Sequence, residues 1–437
     1  MIKYYLVGGA VRDMFMGVLC NDYDFVVVGA SPTDFSNWKS VGKDFPVFLE
    51  PTHGWEIALA RIERKVGVGY TGFETDWNGV TLEQDLSRRD LTINAMAIEV
   101  DFAASVLIGE PVTVGGVIDT FNGLSDIEAK VLRHTSSSFI EDSVRVLRVA
   151  RFLAKFDKYW VDSVNHWKCS PELYKLLESI DVNDLTPERV WLEMSKAFSE
   201  DNPSAFFDNM SDWNNLFPMW EAMWKTPQKE DHHPEGCVGI HTGMVMDYAA
   251  KTWSDPEIVF AGLCHDFGKP TCWDKYGNAH GHEVEGLSYI NDFCDKWKVP
   301  NSYRELALIT CEYHTKVHGC MSRGTNGWMK PKSIMKLFEA TGALKKPSRF
   351  INMLKSCEAD AKGRGAGAEQ LAEFESKPYL QRSYLEDCLS EVLNYNSKPL
   401  SEKMLAEGKT GVIIGQTIRQ EKIKLIREVQ NQWKEKV

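Results

Sequence analysis

The sequence is poor in features that suit export or a membrane. No stretch approaches about eighteen consecutive apolar residues, so no membrane span is expected. The N-terminus, MIKYYLVGGAVRD, has neither a long apolar run nor a small-residue cleavage site. The ten cysteines are scattered without a C-x-x-C pair. That excludes a recognisable redox pair and points to free thiols in a reducing, cytoplasmic compartment. Internal repeats and low-complexity tracts are also missing, which removes solenoids and disordered polymers from consideration. Positive charge is in deficit: 50 Lys and Arg stand against 62 Asp and Glu, a net charge of −12. Any nucleic-acid contact must therefore come from local basic strips. Arginines do cluster, in ARIERK, in SRRD and from Arg145 to Arg151.

What is present is a soluble globular balance, 43% hydrophobic and 26% charged over 437 residues. At roughly 100–200 residues per domain, two to four domains are expected. YYLV predicts a short strand that breaks at Gly8-Gly9 into a helix. DYDFVVV predicts a second strand with carboxylates at its start, and VFLE and EIALARIE predict further strands. The glycine-rich text from Lys65 to Asp76 reads as a loop. RRDLTINAMAIEV is a last α/β stretch before a turn at Asn122-Gly123. From about residue 140 helix follows helix, with Pro187 suited to a first helical turn. The Trp- and Pro-rich segment 202–240 reads as a connector. The expected class is α+β: an α/β head at 1–120, a helical neck and body at 121–230, a histidine-rich helical domain at 231–365 and a helical tail at 366–437.

Three strings in the head suggest phosphate chemistry. GGAVRD brings backbone N–H groups at Gly9 and the Arg12 guanidinium near an anion, although two glycines between strand and helix are common. Asp22 and Asp24, two apart in a strand, would share a face and repel unless a cation lies between them. RRDLTINA offers Arg89 for triphosphate oxygens and Asp90 to orient an arginine. Glu56, opening EIALAR, is a candidate third carboxylate. Arg145, Arg148 and Arg151 recur every three residues and drift along one side of a helix, a pattern equally open to a solvated stripe.

GGAVRD, DYD and RRDLTINA, in this order and spacing, resemble the bacterial-type (class II) CCA-adding enzymes, tRNA nucleotidyltransferases of the polymerase-β superfamily. VGKDFPVF, RKVGVGYTGF, DTFNGLSDI, EDSVRVLRVARF, LTPERVW, GIHT, LCHDFGKP, HGH and SCEADAKGR extend the resemblance to members with a C-terminal HD domain, over roughly residues 2–365. It implies that Asp22 and Asp24 bind Mg2+, and that Gly9, Arg12, Arg89, Arg148 and Arg151 face the incoming nucleotide. Asp142 and Arg145 would read the base edge of CTP or ATP, where a carboxylate accepts from the exocyclic amine and an arginine donates to ring acceptors. The partner implied is the 3′ end of tRNA, with monomer and homodimer both open. The complete look of the loop following ARIERK favours addition of the full CCA.

The histidine-rich part holds His241, the adjacent pair His265-Asp266, and Asp360. This ordered set resembles the HD phosphohydrolase superfamily and suits a divalent transition ion such as Ni2+ or Mn2+. His280, His282 and His314 are further candidates among which the sequence does not choose. Hydrolysis at such a site is expected to fall as histidines protonate below about pH 6. Three other readings compete: a poly(A) polymerase, a phosphohydrolase with a degenerate head, and a tRNA-binding chaperone. The first lacks its arginine-rich string after the second strand, and the intact DYD and RRD strings argue against the other two.

Overall fold

The first strand, β1 (Lys3–Val7), is buried from Tyr5 to Val7 because it lies inside a sheet covered on both faces. Successive side chains leave a strand on opposite sides. Leu6 thus joins one core with Phe25, Val27, Ile57 and Ile98, while Tyr5 and Val7 join another with Val26 and Ala97. The remaining strands are β2 (Asp24–Val28), β3 (Lys39–Val41), β4 (Val47–Leu49), β5 (Glu56–Leu59), β6 (Ile62–Lys65), β7 (Phe73–Asp76), β8 (Ala97–Val100), β9 (Thr113–Ile118) and the short parallel pair β10 (Val131–Leu132) and β11 (Lys168–Cys169). Seven of them form one sheet in the order β3-β4-β5-β2-β1-β8-β9, in which β2 and β5 run parallel and every other pair antiparallel. Five helices accompany it: α1 (Gly9–Phe15), α2 (Leu82–Ser87), α3 (Phe102–Ile108), α4 (Gly123–Ala129) and α5 (Val144–Phe156).

This computed structural model describes residues 2–20, 22–41, 47–65, 73–156, 166–214, 216–231, 233–322 and 327–436. The chain divides into two units, Met1–Thr186 and Pro187–Val437. A short helix, α6 (Pro171–Ser179), completes the first. Two local readings are corrected. The stretch Lys65–Asp76 is not all loop, because β7 pairs antiparallel with β6 from Ile62↔Asp76 to Lys65↔Phe73; the hydrogen-bond ladder outweighs the weak local signal of FETD. Residues 66–72 of that loop, and 42–46 of VGKDFPVF, lie outside the described residues. The second strand begins at Asp24, so Asp22 precedes it rather than sharing a regular pleat.

The second unit is all helix among its described residues: α7 (Pro187–Ala197), α8 (Ser204–Asn214), α9 (Pro218–Trp224), α10 (Val238–Trp253), α11 (Pro256–Cys264), α12 (Lys269–Tyr276), α13 (His282–Trp297), α14 (Asn301–His318), α15 (Pro331–Ala340), α16 (Pro347–Lys362), α17 (Ala368–Ser376), α18 (Leu380–Asn394), α19 (Lys398–Ala406) and α20 (Gly411–Lys436). The expected connector at 202–240 instead contains two helices, α8 and α9. Phe206, Phe207, Phe217 and Trp220 are buried there, so the aromatic residues that looked like linker text are core. At the centre lies α11, buried from Ile258 to Cys264, started by Asp255, whose side chain accepts from Glu257 N, and by Pro256. It packs against α10, α14 and α16, and these helices together with α13 supply the histidine site. No helix among the described residues is long and apolar enough to cross a membrane.

Candidate active sites

In the head, β1 ends at Gly8, whose φ of +68° is a conformation that L side chains rarely adopt. A Cβ there would also meet Arg89 Nη1 at 3.0 Å. The turn therefore delivers Gly9 to the start of α1 and keeps room for Arg89. Beside it, the parallel register of β2 and β5 sets Asp24 against Glu56. Glu56 and Asp22 are exposed, and Asp24 keeps an accessible surface although neighbouring atoms crowd its carboxyl. The Asp24 carboxyl is pushed up to about 6, by desolvation first and then by the charges of Asp22 and Glu56, while Arg89 and Arg148 pull the other way. Three carboxylates thus gather at the starts of two neighbouring strands, their repulsion only partly offset by Arg89 and Arg148. That is the donor set a hard divalent cation fits.

The arginines expected to face a nucleotide are tied down to different degrees. Arg12 is buried: Nε donates to Asp13 Oδ1 at 2.7 Å, Nη1 to Asn94 Oδ1 at 2.7 Å, and its carbon head lies over the rings of Phe152 and Phe156. The structure gives it a framework position between α1 and α5. Arg89 reaches Asp85 at 3.4 Å and Asn94 O at 3.4 Å. Arg148 donates through Nε to Asp90 Oδ2 at 2.7 Å, so Asp90 does orient an arginine. Burial opposes ionisation of Asp90, but Arg148, Asn94 and Arg145 outweigh it and hold the carboxyl far below its ordinary value. Arg145 donates to Ser138 O at 2.9 Å and Arg88 O at 2.6 Å, and Asp142 accepts from Val144 N at 3.2 Å at the start of α5. Arg151 lies 4.8 Å from the Phe152 ring centroid. Along α5, Arg145, Arg148 and Arg151 are half-buried between buried Val and Leu positions, which makes them one continuous side of the helix.

In the second unit three ligand-sized groups form: His241, His265 and Asp360 in one and Asp266, His282 and His314 in another, all buried, and His233, Glu235 and His241 in a third that shares His241 with the first. The adjacent residues His265 and Asp266 thus serve one group each. His282 and His314 join the set; His280 is exposed and stays outside. His265 Nδ1 donates to Gly262 O at 2.6 Å, His282 Nδ1 to Ala279 O at 2.7 Å and His314 Nδ1 to Cys311 O at 2.9 Å. A carbonyl can only accept, so each neutral ring keeps its Nε2 lone pair for the centre. Yet His282 Nε2 and His314 Nε2 lie 3.1 Å apart. Two lone pairs at that distance repel and cannot hydrogen-bond. His265 Nε2 and Asp266 Oδ1 are buried without a hydrogen bond among the described residues, whereas Asp266 Oδ2 is paired with Lys269 Nζ at 2.6 Å. These orphaned, convergent donors are what a divalent transition ion would satisfy.

The electrostatics divide the histidines. Burial pushes His314 down to about 3 and His233 to about 4, so both stay neutral. Burial also disfavours the charged form of His265, but Asp266 and Asp360 outweigh it and raise that residue above its ordinary value. The expected acid limb thus cannot come from His314. A cavity of about 530 Å³ opens on this centre, with Lys269, His318, Lys362, Arg364, Lys377 and Tyr379 in its lining. The cations of this lining are each paired with a carboxylate: Lys269 with Asp266, Lys362 with Glu358, Arg364 with Asp360 and Lys377 with Glu373. His318 Nε2 is 2.6 Å from Asp360 Oδ2 and its Nδ1 2.8 Å from the Tyr379 hydroxyl. Lys269 Nζ pairs with Asp266 Oδ2 at 2.6 Å. The sequence reading passed over His233, Glu235, Lys269, His318 and Tyr379. His318, one helical turn after His314, and Lys269, three after Asp266, had a spacing signal; Tyr379, in the tail, had none.

Gly268 sets how closely the HD turn approaches α13. A Cβ there would lie 2.1 Å from His282 O and 2.7 Å from Gly286 N, both backbone atoms that cannot rotate away. Gly268→Ala is expected to destabilise the second unit by about 1–3 kcal/mol, measured as a lower thermal midpoint, and to weaken metal binding by displacing His282. An unchanged midpoint would show that the helix pair yields freely.

Residues 4–133 match the family model of the poly A polymerase head domain, and residues 238–337 that of the HD domain. Fold and sites together define a nucleotidyltransferase head joined in one chain to a helical HD unit. The multifunctional CCA protein of Thioalkalivibrio sulfidiphilus is 38% identical over 442 residues, covering 99% of this chain and 100% of its own length. That of Methylococcus capsulatus is 40% identical over 443 residues, covering 98% and 95%. The chain belongs to the family of multifunctional CCA proteins. It shares its fold with a CCA-adding enzyme solved in complex with ATP (TM-score 0.57, 19% identity, 97% of this chain and 86% of that one). The same holds for the Thermotoga maritima CCA-adding enzyme complexed with tRNA (TM-score 0.55, 18% identity, 99% and 92%).

Proposed function

We propose that the chain builds the complete 3′-terminal CCA of tRNA from CTP and ATP in its head, and hydrolyses terminal or 2′,3′-cyclic phosphates in its HD unit. The observation that carries the first activity is the carboxylate edge of Asp22, Asp24 and Glu56 beside Arg89 and Arg148. In this reading Asp22 and Asp24 hold Mg2+, with Glu56 as third carboxylate. The ion, when bound, stabilises charge on the triphosphate and lowers the pKa of the attacking 3′ hydroxyl. Arg12, Arg89 and Arg148 face the triphosphate, Gly9 leaves the backbone open to it, and Arg12 also holds α1 against α5. Arg151 extends the cationic side of α5 towards the nucleotide.

Asp142 and Arg145 stand for a template. CTP and ATP each present an exocyclic amine to a carboxylate and ring acceptors to a guanidinium. A bidentate base contact contributes about 1–3 kcal/mol of discrimination. Asp142→Ala or Arg145→Ala is therefore expected to raise UMP and GMP misincorporation by roughly 10-fold or more at nearly unchanged tRNA affinity. Faithful choice with poor tRNA binding would assign selection to other residues. The whole reading is tested with tRNA lacking its 3′ end and each labelled nucleotide separately. Two C additions followed by one A support it; a run of A without C would make the protein a poly(A) polymerase.

For the HD unit, His241, His265, Asp266, His282, His314 and Asp360 are the proposed ligands, and Ni2+ or Mn2+ the proposed ion. Such an ion supplies a Lewis acid and an activated water. Lys362, Arg364 and Lys377 receive the phosphate. We place the head at 1–120, the neck and body at 121–230, the HD domain at 231–365 and the tail at 366–437. In this reading the tail closes one wall of the HD cavity through Lys377 and Tyr379.

A further inference from the structure

Three of the four buried histidines at the HD centre have Nδ1 fixed by a backbone carbonyl; His241 does not. Its Nδ1 lies 2.9 Å from Glu235 Oε1, within ion-pair distance but out of line for a hydrogen bond as the side chains stand, while its Nε2 has hydrogen-bond geometry to Asp360 Oδ1 at 3.1 Å. Both side chains are wholly buried. Glu235 comes from the short segment ahead of α10, where Pro227 bridges to Cys237 and Gln228 N donates to Gly236 O at 2.8 Å. Its other oxygen accepts from Gly365 N at 3.2 Å, just past the end of α16. The carboxylate therefore joins the entry of the helix carrying His241 to the exit of the helix carrying Asp360. His233 Nδ1 also contacts Oε1, at 3.0 Å.

We infer that Glu235 is a positioning residue for the HD centre: it holds His241 with the proton on Nδ1 and the Nε2 lone pair turned towards His265 and Asp360. The inference rests on the reading of that centre as a metal site. A carboxylate behind a ligating imidazole fixes its tautomer and raises its basicity, and loss of such a partner typically costs about 10–100-fold in metal affinity. The arrangement His233–Glu235–His241 is also compact enough to be taken for a ligand group by itself. Its geometry argues otherwise, because a metal at His241 Nδ1 would leave no proton on a ring whose Nε2 already serves the other group. His233 is then a neighbour whose Nδ1–H donates to the same oxygen and helps to hold the carboxylate in place.

The test uses the full-length protein with excess Mg2+, so that the head carboxylates are occupied, and a Co2+ titration followed by its visible absorption. Glu235→Gln keeps the shape and the contact to Gly365 while removing the charge. Its Co2+ affinity is expected to fall about 10–100-fold, with the stoichiometry, band position and AMP incorporation unchanged. Glu235→Asp, which restores the charge, is expected to recover part of the affinity, and His233→Ala to stay near the unaltered protein. Equal affinity in Glu235→Gln and the unaltered protein would reduce Glu235 to a packing residue. Loss of one Co2+ equivalent in both Glu235→Gln and His233→Ala would make the pair ligands, and overturn the inference. If Glu235→Gln does not fold, a folded Glu235→Asp that binds no better than His265→Ala overturns it as well. If the unaltered protein shows no Co2+ bands that His265→Ala removes, the metal reading of the centre fails too.

Discussion

Asp22→Ala or Asp24→Ala is expected to abolish incorporation of CMP and AMP together, by at least about 10²–10³-fold, the scale of losing one preorganised group that stabilises transition-state charge. Both nucleotides should suffer alike, because one carboxylate edge would serve every addition. The fold should survive, since both residues keep an accessible surface. Asp24 allows a sharper statement. Its carboxyl is raised to about 6 in the folded protein by desolvation and by Asp22 and Glu56. A folded value above the unfolded one means that the native state binds more protons between the two values. The group thus favours folding while protonated and opposes it as pH rises through about 6. In the absence of Mg2+, Asp24→Ala should therefore leave the thermal midpoint of the head unchanged at acid pH and raise it above neutrality. Near-normal CMP addition by either variant at saturating Mg2+ would sink the assignment. A lowered midpoint at alkaline pH would show that Asp24 stabilises the head instead.

His265→Ala with Asp266→Ala is expected to remove hydrolysis of a 2′,3′-cyclic phosphate and to leave AMP incorporation intact. The double change takes one donor from each of the two ligand groups whose members are all buried, whereas the carboxylate edge of the head lies in the other compact unit. It also strips Lys269 of its ion-pair partner, leaving Gln228 Oε1 at 2.7 Å to accept from the buried ammonium, so the variant's unfolding must be followed alongside. Ni2+ or Mn2+ should support hydrolysis better than Ca2+, because imidazole suits them. The pH dependence should follow His265. Asp266 and Asp360 overcome burial and favour its protonated form, so an incoming ion must displace that proton and affinity should rise with pH. His314, held neutral down to about 3, should contribute nothing to that limb. Proton release during a metal titration measures this directly. Hydrolysis retained in the double variant, or lost together with AMP incorporation in a folded protein, would overturn the division between two sites.

The sequence by itself determined the chemistry-bearing residues and the order in which they come. Glycine pairs, carboxylates two apart and an adjacent His-Asp pair are local patterns, and local patterns survive in one dimension. It also determined that a strand-rich head precedes a helical body, since the two hydrophobic periods differ. Only the tertiary structure decided what depends on residues far apart in the chain. The register of β2 on β5 brings Glu56 to Asp24, and a pairing across about thirty residues leaves no trace in either segment's own period. β7 exists because β6 is there to bond it. Phe206, Phe207 and Trp220 are core because neighbouring helices cover them, although their Pro-rich surroundings look like linker. Arg12, whose type and place suit a phosphate contact, is enclosed by Asp13, Asn94 and two phenyl rings. The choice of His282 and His314 over His280 was equally out of reach, because it turns on which imidazoles find a carbonyl for Nδ1 and burial for Nε2. Both conditions are set by how α11, α13 and α14 pack, and packing is a property of three dimensions.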